Sequence, residues 1–166
     1  MTPHLLDDLP RVLAIGLGAT AVMDAWLLLL RRAGVPTLDF ALLGRWVGHL
    51  PRGRWQHRPI ARSQAVRGER ALGWLTHYAV GIGFAGVLVA WQGPAWLARP
   101  ALAPALGFGL ASAAAPLLLL QPALGAGLLA RRTPRPLANG LRSLANHAVF
   151  GLGLYLSAAL LAALAR

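Results

Sequence analysis

Four long apolar runs, separated by arginine-rich or short polar stretches, dominate the pattern of this chain. They are Val12 to Leu30, Ala71 to Trp91, Ala101 to Leu120 and Leu144 to Ala165. A hydrocarbon core of about 30 Å needs roughly 20 residues at about 1.5 Å each, so the pattern predicts an all-α, multi-pass transmembrane bundle of four helices. One integral membrane domain over residues 1–166 accounts for the whole chain. The third helix is the hardest to bound, because no charge occurs from Ala101 through Ala130 while Pro104, Pro116 and Pro122 interrupt the run; a helix over about 101–128 is expected. Leu38 to Leu50 mixes apolar and polar residues without the length to span, which predicts an interfacial or re-entrant helix closed by Pro51.

The first run does not read as a cleaved signal peptide. Asp7 and Asp8 precede it, Arg31 and Arg32 follow it, and no small-residue cleavage site appears. It is expected to stay as a helix.

Composition supports the membrane class: 57% of residues are hydrophobic, 13% are charged and the mean hydropathy is +0.56, against about a quarter charged in ordinary soluble domains. The net charge of +11 comes entirely from arginine. In a soluble protein it would suggest nucleic acid. Here the arginines lie between apolar runs, where they report topology and anionic headgroups, so the expected partners are the lipid bilayer and anionic lipid headgroups, with no nucleic acid. With no cysteine there is no disulfide, thiolate metal site or cysteine nucleophile.

Nine arginines fall between Arg31 and Arg70 and four more at Arg131, Arg132, Arg135 and Arg142, leaving only Arg11, Arg99 and Arg166 on the other side. That asymmetry predicts a cell inner-membrane protein with both arginine-rich loops cytoplasmic and both termini periplasmic. In the first such loop Arg45, His49, Arg52, Arg54 and His57 are candidate anionic headgroup contacts, the plainer reading being a solvated positive loop. Glu69 suits the positive N-terminus of the second long helix. Trp26, Trp46, Trp55, Trp74, Trp91 and Trp96 are read as interfacial anchors.

Ionisable side chains within membrane helices are costly, about 2.5 to 3.5 kcal/mol for a central Asp on insertion scales, and each asks for a partner. Asp24 lies seven residues before Arg31, His77 seven after Arg70 and His147 five after Arg142, which puts all three about 10 Å inside the arginine-rich boundary. Gln121 lies at a similar level. Each sits in a stripe of small residues at four-residue spacing, namely Gly16-Thr20-Asp24, Gly73-His77-Gly81, Gln121-Gly125 and Ser143-His147-Gly151-Tyr155. Such stripes mark the faces where membrane helices approach each other, so the polar residues are expected to meet. Thr20, Gln121, Asn146 and Tyr155 form the expected supporting cluster.

The motif His77-x-x-x-Gly81-x-Gly83 recurs as His147-x-x-x-Gly151-x-Gly153, and LLLLRRAGVP before the first resembles GLLARRTPRP before the second. The four helices can thus be read as two parallel helix-pair repeats, in which Leu124 stands where Asp24 does in the first.

GATAVMD (Gly18 to Asp24), GRWVGHLPRGR (Gly44 to Arg54), GERALGWLTHY (Gly68 to Tyr78), Gln121-Pro122, RTPRP (Arg132 to Pro136) and HAVFGLGLY (His147 to Tyr155) together resemble the bacterial family catalogued as domain of unknown function 2938. The likeness covers almost the whole chain and implies a small inner-membrane protein. It supplies no substrate, cofactor or catalytic residue.

Several functions fit the cluster, and a metal or haem site with a redox role is favoured over transport by a small margin. His77 and His147 could ligate haem b, or join Asp24 around a transition metal. The same residues could relay protons in a transporter or channel-like protein, a pathway that four helices would complete as a homodimer. The arginine-rich loop could bind or process lipid phosphate. The cluster could also be purely structural glue between helices. Whether the chain is an enzyme stays open at this level.

Overall fold

The computed structural model describes residues 8–165; Asp7 and Arg166, which entered the charge pattern, lie outside them. Among the described residues there are helices and connecting turns and no strand. The first long helix, α1 (Leu9–Arg32), ends with Arg31 and Arg32 in its last turn, where cations complement the carbonyl end of the helix. The expected short helix follows as α2 (Phe40–His49), capped by the Asp39 carboxylate accepting from Ala41 N–H at 2.9 Å and stopped by a single turn, Leu50–Arg52, at Pro51. Next come α3 (Glu69–Gln92), a short α4 (Pro94–Ala98) and α5 (Leu102–Ser112). The last helix, α7 (Pro136–Leu164), begins eight residues before the predicted Leu144. Pro136 has no N–H to lose at a first helical position, and its fixed φ favours the start.

The third span differs most from the expected run. After Ser112 the chain widens into a π-type segment, Ala115–Leu120, and closes with α6 (Gln121–Leu124). Pro116 cannot donate to the helix ladder and its ring crowds the preceding turn, which explains the widening. The helix stops at Leu124, short of the predicted Leu128, because Gly125 takes φ 99°, a left-handed conformation that ends helices and favours glycine. Even so, four segments, Leu9–Arg32, Glu69–Gln92, Leu102–Leu124 and Pro136–Leu164, are long and apolar enough to cross a membrane.

Helix α1 packs against both α3 and α7, and α5 packs against α7, while α3 scarcely touches the third span. Small residues make the close crossings possible: a Cβ on Gly16 would come 2.5 Å from Ile82 Cα, and one on Gly109 would come 2.5 Å from Gly151 Cα. Helix α2 lies on α3 through facing Gly44 and Gly73. The core contains Ile15, Ala19, Leu88, Phe150 and Leu154, while Leu75, Leu119 and Leu164 are exposed, as expected where a bundle's outer face meets hydrocarbon.

The two helix pairs a duplication would repeat, α1 with α3 and α5 with α7, are both present. Strict two-fold symmetry would also make α3 meet the third span as closely as α7 meets α1. That contact is nearly missing, and a cavity occupies its place.

Candidate functional site: a lateral cavity flanked by two histidine pairs

Both arginine-rich segments gather at one end, where Arg142 donates to Pro36 O at 3.1 Å and His57 N–H donates to Ala123 O at 2.8 Å. From that end a cavity of about 590 Å³ runs between α3 and the third span, with α7 behind it, a size within the usual range for small-molecule sites, about 300 to 1,000 Å³. His77 and His147 both line it, with Gln121 and Asn146, and Phe84 and Phe150 close it away from the arginines.

Each histidine is held by a polar residue of the preceding long apolar span. His77 Nε2 is 2.9 Å from Asp24 Oδ1, and the adjacent Tyr78 hydroxyl donates to Asp24 Oδ2 at 2.8 Å. Consecutive residues on α3 thus engage both carboxylate oxygens. Phe40 of α2 stacks on the His77 ring at 4.2 Å between centroids, which fixes the imidazole plane. His147 Nδ1 lies 2.7 Å from Ser112 Oγ, whose hydroxyl donates to Gly109 O at 2.6 Å. With that proton committed to a carbonyl, His147 Nδ1–H is the donor to Ser112, leaving Nε2 as the acceptor nitrogen. Ser112 is buried and does not line the cavity, so the pair does not present a serine nucleophile.

The expected supporting residues divide. Thr20 lines the cavity and donates to Gly16 O at 2.7 Å. Asn146 accepts from Trp26 Nε1–H at 3.0 Å, so Trp26 joins two helices rather than only anchoring one. Gln121 Oε1 is buried and, among the described residues, has no hydrogen-bond partner. Tyr155 lies two turns beyond His147, packed on the apolar core and away from the cluster. Trp96 is likewise core, 5% exposed, and donates to Ala101 O at 3.2 Å.

Among the described residues no three His, Asp or Glu side chains come together as a metal-holding group. The expected Asp24, His77 and His147 ligand set is therefore not assembled, because Tyr78 and His77 occupy the carboxylate and His147 turns its Nδ1 to Ser112. For haem, His77 Nε2, the nitrogen that would ordinarily ligate, is committed to Asp24.

The first arginine-rich loop is folded against the helices rather than freely solvated. Arg45 makes a two-pronged ion pair with Glu69, Nε to Oε2 at 2.8 Å and Nη2 to Oε1 at 2.7 Å, and its Nη1 donates to Ala61 O and Ser63 O, both at 3.2 Å. Glu69 also accepts from Val66 N–H at 2.9 Å. The Glu69 carboxylate holds the Arg45 guanidinium above even its usual high pKa. His49 Nε2–H donates to Gln64 O at 2.9 Å, and His57 Nδ1 pairs with Ser63 Oγ at 2.7 Å; both rings are buried. Arg45, His49 and His57 are thus not free headgroup contacts, since they build the loop; Arg52 and Arg54 remain exposed.

The family profile described as "Protein of unknown function (DUF2938)" matches residues 13–161. The chain belongs to this family. No curated protein and no solved structure is significantly similar to it. The DUF2938 match takes in both histidine pairs, the loop clamp at Arg45 and every residue that lines the cavity. Two partners in this DUF2938 chain escaped the sequence reading. Tyr78 carried a signal in its adjacency to His77; Ser112 is the sole polar side chain between Ala101 and Leu120, which could have singled it out.

Proposed function

We propose that this chain is an inner-membrane binding protein that admits a small apolar or amphipathic molecule sideways from the lipid into the cavity between α3 and the third span. His77, His147 and Gln121 form the polar wall that orients it. The observation that carries the reading is that both histidines, from separate helix pairs, line one cavity of about 590 Å³ at the place where helix contact is missing. Mostly apolar walls with a few convergent polar groups are the usual make-up of a small-molecule site. Gln121 Oε1, buried and without a partner among the described residues, supports a ligand that donates a hydrogen bond there, since an unmet buried acceptor costs about 1 to 3 kcal/mol.

The test uses the purified chain in phosphatidylcholine nanodiscs with the fluorescent probe N-phenyl-1-naphthylamine. Saturable fluorescence above empty nanodiscs is expected, and Ala115→Trp, which fills the cavity wall, removes it. No saturable signal, or a signal unchanged in both Ala115→Trp and Val80→Trp, refutes the reading.

A further inference from the structure

The cavity wall has a direction, and it points to the chemistry of the occupant. At the arginine-rich end it is polar, formed by Thr37, Thr133, Asn139 and Arg142; at the other end it is apolar, formed by Val80, Phe84, Leu119 and Phe150. Among the described residues Arg142 is, apart from the histidines, the one ionisable residue on the wall, and no acid lines it. Its Nη1 donates to Pro36 O at 3.1 Å and Asn139 Oδ1 at 3.4 Å. Among the described residues Arg142 has no acidic partner, whereas Arg45 and Arg11 do. An arginine held by neutral oxygens, with part of its donor fork uncommitted, is suited to a carboxylate or phosphate.

We infer that the occupant is an anionic single-chain amphiphile, its charged head at Arg142 and its tail lying between α3 and the third span toward Phe84 and Phe150. This inference rests on the cavity being a ligand site. From Arg142 to Phe150 is eight positions along α7, about 12 Å of helix, so head site and apolar end are separated by the length of a medium acyl or prenyl chain. The same geometry excludes a compact polar solute, which would leave the phenylalanine end unfilled, and a cation, which would meet Arg142 with like charge.

The experiment displaces N-phenyl-1-naphthylamine from the full chain in phosphatidylcholine nanodiscs with decyl phosphate, decanoate, decanol, decyltrimethylammonium and inorganic phosphate. Decyl phosphate and decanoate are expected to act at about tenfold lower concentration than decanol, the factor one charge-assisted hydrogen bond contributes. Inorganic phosphate, which lacks the tail, should not displace the probe. Arg142→Gln, checked for an unchanged unfolding temperature, should still bind the probe but lose the preference for the anion. Equal potency of decanol and decyl phosphate, or a preference that survives in Arg142→Gln, overturns the inference and leaves the binding reading intact. Displacement by inorganic phosphate alone overturns the tail assignment. Absence of saturable probe binding in the unaltered chain is the separate result that removes the binding reading itself.

Discussion

His77 Nε2 stands 2.9 Å from Asp24 Oδ1, joining helices at positions 53 apart in sequence. Tyr78 takes the second carboxylate oxygen at 2.8 Å, so the one aspartate among the apolar spans is satisfied by neighbours on a single helix. Where no water is at hand, a carboxylate without such donors is costly, and donors without their carboxylate are costly in turn. The pair therefore ties α1 to α3 while leaving the cavity-facing side of the imidazole available.

Asp24→Ala should destabilise the chain by about 1 to 3 kcal/mol, because it strands the His77 and Tyr78 donors together. Asp24→Asn, which keeps one acceptor oxygen, should cost less, and Tyr78→Phe less again. Thermal unfolding in detergent ranks the three. A Tyr78→Phe loss equal to that of Asp24→Ala contradicts the assignment of His77 as the main partner.

The chain has no cysteine, which makes its orientation directly measurable. Single replacements Arg62→Cys and Arg131→Cys should be blocked only by reagents that reach the cytoplasm, and Arg99→Cys by an impermeant maleimide added outside intact cells. This follows from the tendency of arginine-rich loops to stay cytoplasmic. The reverse labelling pattern overturns the proposed orientation.

The loop clamp should be pH dependent. Burial pushes the His57 imidazole below its ordinary pKa of 6.5; a hydrogen bond with the Arg54 backbone opposes the shift, and the charges of His49 and Arg54 add to it. A released loop would bind the proton more readily than the folded one, so the His57 contribution is fully present above about pH 6.5 and is lost as pH falls through the lowered value. Measured against the intrinsic rate, which itself falls between about pH 7 and about pH 5, amide protection across residues 53–68 should therefore decrease as the pH is lowered. His57→Gln should show faster exchange at neutral pH and a flatter slope.

Arg45→Ala should loosen the same loop at every pH, because the Ala61 and Ser63 carbonyls lose the donor Arg45 supplies and Glu69 keeps only Val66 N–H. Bonds to charged groups contribute about 1.5 to 3 kcal/mol each, enough for limited proteolysis between Arg52 and Arg67 to accelerate several-fold. Arg45→Lys should recover little, since an ammonium cannot grip both carboxylate oxygens in the fork geometry.

What the sequence made legible was set by local rules. Span length, the Pro51 stop and the four-residue glycine stripes each act within a turn or two, and they placed the four helices, α2 and the shared inward face on which Asp24 and His77 meet. Partners that depend on where distant segments settle were not legible. Aligning the two arginine pairs put Leu124 opposite Asp24, yet the residue that holds His147 is Ser112, because the widened turn at Ala115–Leu120 and the stop at Gly125 shift the third span's register. Glu69 looked like a helix-terminus charge and Arg45 like a headgroup contact; only the docking of α2 on α3 through Gly44 and Gly73 turns them into a pair.

The duplicated motif offers the sharpest test of that broken symmetry. Gly81 and Gly151 are both crossing points, tight against Thr20 and against Leu106 and Gly109 respectively. Their companions differ: a Cβ on Gly153 would come 2.9 Å from Ala19 Cα, whereas one on Gly83 meets nothing within 4 Å among the described residues. Helix α7 lies between α1 and α5 and is gripped on two faces at Gly151 and Gly153, while α3 is held by α1 and, near Gly73, by α2, which leaves the Gly83 face uncovered. Gly83→Ala should accordingly be neutral or stabilising by about 0.5 to 1 kcal/mol through helix propensity alone. Gly153→Ala should force α1 and α7 apart and cost about 1 to 3 kcal/mol, the usual range for overpacking. Equal effects of the two substitutions on thermal unfolding would mean that the two repeats pack alike, and that the gap between α3 and the third span closes in the membrane.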